Sequence, residues 1–133
     1  KTDIALALRS PFAYTDLMIK ARFDDVQSGP EGKKLVPFHI MIPPGGIVPE
    51  DAQGRVNFDI IAIARSEGGK QDGDFTQHVD RKFPIAAIQE IKTTGVDYKN
   101  NFELPTGEYA VWFVVRDNVS GRTGSSVVRL KVP

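Results

Sequence analysis

Residues 104–117 read LPTGEYAVWFVVRD, and the fold follows from how this stretch alternates. Leu104 closes one alternation of apolar and polar residues. Tyr109, Val111, Phe113 and Val115 open another. A repeat of two is the side-chain period of a half-buried strand. Between the two runs, Pro105-Thr106-Gly107 has the composition of a tight turn. A tyrosine placed just after such a turn is the tyrosine corner of Greek-key sandwiches. In that reading Leu104 enters the core, Gly107 permits the turn, and the Tyr109 hydroxyl reaches back to a backbone group upstream. With a buried acceptor, removing the hydroxyl is expected to cost on the order of 1–3 kcal/mol. An ordinary core tyrosine is the alternative.

The same period recurs on both sides of this stretch. Upstream it predicts strands over 16–23 (Leu17, Ile19, Ala21 and Phe23 inward), 34–42 (Val36, Phe38, Ile40, Ile42) and 55–65 (Val56, Phe58, Ile60, Ala62, Ala64). It continues over 74–83 (Phe75, Val79, Phe83) and 96–104 (Val96, Tyr98, Phe102, Leu104). The strand of the opening stretch runs over 108–117, and a last one over 124–132 has Ser126, Val128, Leu130 and Val132 inward. Pro37 lacks a ladder donor, which places its part of the second strand at an edge or bulge. Turn-forming runs separate the strands: SGPEG, PPGG with DAQG, SEGGKQDG, TTG, LPTG and NVSGRTG. Ile85, Ile88, Ile91 and Lys92 depart from the period and predict one or two helical turns between strands four and five. The expected fold class is therefore all-β: an immunoglobulin/fibronectin III-like Greek-key β-sandwich of about seven strands.

The chain has 133 residues, 17 Lys plus Arg against 17 Asp plus Glu, and no cysteine. One core suffices at this length. Cysteine-free composition excludes disulfides, thiol catalysis and cysteine-ligated zinc. Balanced charge gives no electrostatic footprint for nucleic acid or anionic membrane. No apolar run approaches a membrane span, and KTDIALALRS lacks the pattern of a signal peptide. Residues 1–14 read as a lead-in or interdomain segment and 15–133 as the sandwich domain. The apolar run Ile4–Leu8 would suit a junction with a preceding domain, and Val132-Pro133 a domain edge.

Several of these residues carry a resemblance. Leu104–Pro133 combines a Leu-x-x-Gly-x-Tyr corner, a strand ending in Arg116-Asp117, the hairpin Ser120-Gly121-Arg122-Thr123-Gly124-Ser125 and a last strand ending in Val132-Pro133. It resembles the C-terminal module of acidobacterial von Willebrand factor A-related proteins. Ser10-Pro11-Phe12 followed by the strand at Leu17 is similar as well. The resemblance implies an exported, extracellular or cell-envelope protein with an A-type domain on the N-terminal side. Such a domain holds its metal on an Asp-x-Ser-x-Ser motif, which this sequence lacks.

Candidate chemistry is sparse. His39 and His78 fall on outward strand positions, far apart, whereas a zinc site needs three or four convergent ligands. No Gly-x-Ser-x-Gly elbow occurs. Asp24-Asp25, Glu50-Asp51 and Asp72 with Asp74 are carboxylate pairs that glycoside hydrolysis or calcium binding could use. Their turn setting has a sufficient backbone reason. Gly45-Gly46 and Gly68-Gly69 lack the Lys-Ser/Thr of a phosphate loop. No enzyme, cofactor or metal is expected.

Trp112 has the parity opposite to Tyr109 and Phe113 and so faces away from the core, beside Val114. It marks either a partner or sugar surface, or a site covered by residues 4–12 with a cation–π contact from Arg129 or Lys131. Covering is the preferred reading. The loops 43–54, 84–95 and 118–123 should gather at one end. Ile47, Val48 and Arg122 are their binding candidates, but the preferred reading is that Ile47 and Val48 cap the core or form a short extra strand. The expected function is a non-catalytic accessory module contacting a protein partner or a neighbouring domain of its own chain. The second reading is a carbohydrate-binding or adhesive module using the Trp112 face.

Overall fold

The computed structural model describes residues 16–50, 53–66, 68–69 and 71–133. The predicted lead-in segment, with Ile4–Leu8 and Ser10-Pro11-Phe12, lies outside them, and so does Asp51. Among the described residues eight strands run in chain order: β1 (Lys20–Phe23), β2 (Gln27–Ser28), β3 (Lys34–Ile42), β4 (Arg55–Ser66), β5 (Gln71–Lys82), β6 (Val96–Leu104), β7 (Gly107–Asp117) and β8 (Thr123–Val132). An α-helix, α1 (Ile85–Thr93), joins β5 to β6. The strands form two antiparallel sheets. In the first, β3 pairs β6 on one side and β1 and then β2 on the other. The second has the order β5-β4-β7-β8. Both β4 and β5 of the second sheet lie between β3 and β6 in sequence, and β6 of the first sheet lies between β4 and β7. The chain therefore crosses between layers after β3, β5 and β6. This is the all-β sandwich the alternation predicts.

Burial of alternate residues makes the two layers one body. Val36, Phe38, Ile40 and Ile42 of β3 face Val56, Phe58, Ile60, Ala62 and Ala64 of β4 and Val111, Phe113 and Val115 of β7, all buried. At the centre the Phe38 ring lies 5.0 Å from Phe102, 5.4 Å from Phe113 and 5.8 Å from Phe75. Phe113 fits because its cross-strand neighbours, Ala62 and Ser126, are small. Strand β5 is less enclosed, and its inward residues Phe75 and Val79 are only half-buried. It lies at the edge of its sheet, pairing β4 alone among the described residues.

Three local details sharpen or correct the sequence reading. Of the two settings expected for Pro37, edge or bulge, the structure shows the second: between Phe23↔Phe38 and Gln27↔Leu35 three residues of the outer strand stand opposite two of β3. The Pro37 carbonyl accepts from Asp24 N–H at 3.0 Å. In an antiparallel strand a residue's N–H and C=O point to the same side. The donor Pro37 lacks therefore falls where the outer strand is broken between β1 and β2. Asp72-Gly73-Asp74 lies within β5 and not in a turn. In α1, Ile88 is buried and Ile91 half-buried, but Ile85 is 80% exposed, so the helix docks by its later turns.

At the corner, Leu104 is fully buried and the Tyr109 hydroxyl donates to Pro105 O at 2.7 Å. The ring packs over Gly107, whose Cβ position lies 3.6 Å from ring carbons. Pro105 is exposed, so water can replace the lost donor. Tyr109→Phe is thus expected to cost about 1 kcal/mol, the net value of one hydrogen bond rather than of a buried orphan acceptor. Urea denaturation of the variant checks this, and a loss above about 2 kcal/mol would show that the carbonyl is sealed from solvent.

Candidate functional site

The outer face of the second sheet carries the one aromatic platform that sequence parity nominates. Across β4, β7 and β8 its rungs read Ile63–Trp112–Val127 and then Arg65–Ala110–Arg129, followed by Glu108 opposite Lys131. Trp112 is half-buried, and Val127 is 46% exposed. Below them the methyl of Ala110 leaves a gap between two arginine side chains. The result is a shallow groove of about 780 Å³, with Arg65, Glu108, Trp112, Arg129 and Lys131 on its walls. The face is not open throughout, because Val114 is fully buried. No cation–π contact of Arg129 or Lys131 with Trp112 occurs among the described residues. The cation over an aromatic ring is Arg81, 4.5 Å from the centre of Phe83.

Arg65 is the member of this groove that sequence reading missed. It falls on the less regular face of β4, and only the β4–β7–β8 register brings it level with Arg129.

The other nominated residues hold the structure together. Ile47 is 2% exposed and belongs to the core; Val48 is half-buried. Val48 N–H donates to the carboxylate of Asp117, which is fully buried and also accepts from Val119 and Ser120 N–H. Arg122 donates to Gly45 O at 2.6 Å. The 43–50 loop and the β7–β8 turn are thus tied together at one end of the sandwich. The third loop closes on the same end: a Cβ at Gly95 would lie 2.2 Å from Ile42 O.

Both histidines lie on outer faces, but His39 is buried, which corrects the outward-exposed reading. Its Nε2 is 2.6 Å from Asp24 and its Nδ1 2.9 Å from Asp97. Asp24 follows β1 and Asp97 lies on β6, so this clasp ties the outer elements to β3 beside the strand break. His78 Nδ1 lies 2.6 Å from the buried Asp59 carboxylate. Asn118 donates to Asp59 and to Asn57, both at 2.9 Å, and accepts from Arg116. Of the remaining carboxylates, Glu50 lies 3.8 Å from Arg55, itself 3.0 Å from Asp80. No group of three His, Asp or Glu that could hold a metal ion occurs among the described residues. Burial pushes the Tyr98 phenol above the usual tyrosine value, and the hydrogen bond from Asn100 works the other way. No described helix is long and apolar enough to cross a membrane.

No protein-family model and no curated protein matches the chain. Similar solved structures exist at the level of fold. A β-glucuronidase of Bacteroides uniformis matches with a TM-score of 0.49 and 11% identity, over 86% of this chain and 13% of that one. A β-glucuronidase from glycoside hydrolase family 2 gives 0.50 and 8%, over 86% and 11%. The Northeast Structural Genomics Consortium target SoR45 gives 0.51 and 16%, over 90% of this chain and 89% of that one. The chain thus spans only a small part of the glucuronidases it matches.

Proposed function

We propose that this chain is a non-catalytic accessory module of a larger exported bacterial protein, one that positions or contacts a protein neighbour. The observation that carries this reading is where the reactive side chains are engaged. His39, Asp59, Asp117 and Arg122 bind carboxylates, amides and backbone of their own domain. They bind strands and loops to one another and do not converge on a cleft. Sandwich portions within much longer glycosidases are compatible with an accessory role, although the likeness extends to the fold alone. The resemblance of residues 104–133 to acidobacterial von Willebrand factor A-related proteins supplies the proposed context, an exported chain with an A-type domain before this one.

Two measurements test the reading. The upstream reading frame is expected to encode an export leader and an A-type domain with its Asp-x-Ser-x-Ser motif. Purified chain incubated with p-nitrophenyl β-D-glucuronide is expected to release no nitrophenol above buffer. Turnover abolished in a heat-denatured control would overturn the non-catalytic assignment.

A second reading, a carbohydrate-binding or adhesive module, is favoured by one observation: the half-buried Trp112 beside an open groove. Neutral oligosaccharides shielding this single tryptophan from acrylamide would support it.

A further inference from the structure

We infer that the Trp112 groove docks an extended acidic segment of a partner protein, with an apolar side chain over Trp112 and a carboxylate two residues further along. The inference rests on the reading of this chain as a protein-contacting module and names the surface and the partner chemistry.

Charge comes first. The chain as a whole is neutral, yet Arg65, Arg129 and Lys131 line one groove against the single acid Glu108. Among the described residues none of the three cations makes an ion pair. Arg129 and Lys131 are exposed and Arg65 half-buried. Arg65 and Arg129 flank Ala110 from the two neighbouring strands, so their backbones stand roughly 10 Å apart. A carboxylate above Ala110 lies between two planar guanidinium forks, the geometry that favours paired charge-assisted hydrogen bonds.

Spacing comes second. Trp112 and Ala110 are two residues apart on β7, hence roughly 7 Å. Alternate side chains of an extended peptide have the same repeat. A segment laid along β7 therefore sets one side chain on the Ile63–Trp112–Val127 rung and the next same-facing one between the arginines. A further acid would reach Lys131.

The upper rung decides between protein and sugar. Ile63, Trp112 and Val127 offer ring hydroxyls a single donor, the indole N–H, and no acceptor, while an exposed Val127 beside an indole suits an aliphatic side chain. Tryptophan and arginine together are also the residues in which binding energy concentrates at protein interfaces.

Trp112 is the chain's only tryptophan, so its emission reports on this groove directly. The probe is a capped decapeptide repeating leucine, threonine, glutamate, threonine. Controls are the same peptide with lysine for glutamate, and polygalacturonate. The acidic peptide is expected to shift Trp112 emission to the blue, with affinity falling as salt rises. The lysine peptide is expected to do nothing. Reversal by Arg129→Glu with Lys131→Glu is expected to weaken binding by about tenfold or more. An equal charge change at Lys20 and Lys33, which lie outside the groove, should leave binding intact. If the reversed double variant does not fold by circular dichroism, Arg129→Gln with Lys131→Gln replaces it, with a smaller loss in the same direction.

Emission unmoved by the acidic peptide at millimolar concentration overturns the inference, as does binding indifferent to the charge changes. Polygalacturonate binding where the peptide fails assigns the groove to an acidic saccharide instead. Nitrophenol release bears on the accessory-module reading alone, so the two can fail separately.

Discussion

Phe113→Ala is expected to cost about 3–5 kcal/mol, a large fraction of the stability of a domain this size. The magnitude follows from position. Phe113 is fully buried and contributes the second sheet's ring to the aromatic centre, 5.4 Å from Phe38 and 5.8 Å from Phe23. Its cross-strand neighbours Ala62 and Ser126 are too short to fill the vacated space. Phe38 faces it from the opposite sheet, fixed in a strand paired on both sides. Collapse would therefore require the sheets themselves to approach. A cavity that cannot relax costs the lost transfer energy and the lost contacts together. Phe113→Leu retains part of the volume and should lose less. Denaturant midpoints at unchanged slope give both values. A loss below about 1 kcal/mol for Phe113→Ala would mean that the two layers do not share one rigid core.

That centre was readable in the sequence because burial in a two-layer sandwich is local information. Each of Val36 to Ile42, Val56 to Ala64 and Tyr109 to Val115 carries its inward set at every second residue, and the structure places those residues between the sheets. Trp112 was legible by the same parity. What parity does not encode is which outward residues become neighbours. His39 counts outward from β3 and yet is buried. The reason is that Asp24 and Asp97, from elements 15 and 58 residues away, close over it. Arg65 joins Arg129 only through two strand pairings. Ile47 lies in a Pro- and Gly-rich loop where strand parity does not apply, and the core-cap reading of it rests on its apolar character alone. Its burial follows from Asp117 drawing Val48 inward and Arg122 fixing Gly45 from above. Local alternation therefore predicts the core, while the candidate site depends on register, which is set by pairings distant in sequence.

Gly124→Ala should show the same distinction in a single methyl group, with an expected loss of about 2–4 kcal/mol. In sequence Gly121 and Gly124 look like two turn glycines of one hairpin motif. Their physics differs. Gly121 has φ +79 at the turn, and its Cβ position meets nothing closer than an Arg116 nitrogen at 3.8 Å. A substitution there is limited to local backbone strain, on the order of 1 kcal/mol. Gly124 lies inside β8 without a positive φ. There a Cβ would stand 1.9 Å from Leu17 O and 2.8 Å from Leu17 C. Backbone meets backbone, so no rotamer change relieves the overlap. The segment entering β1 must lift away. Lifting it breaks the 3.2 Å hydrogen bond from Leu17 N–H to Thr123 O and withdraws the buried Leu17 side chain from the core. Hydrogen exchange at the Leu17 amide should accelerate well before global unfolding, while amides of β4 and β7 stay protected. A stability change under about 0.5 kcal/mol, with Leu17 still protected, would show that the entering segment does not rest on Gly124. The larger penalty thus belongs to the glycine with the ordinary backbone, because contact with a distant residue, and not the turn, excludes a side chain there.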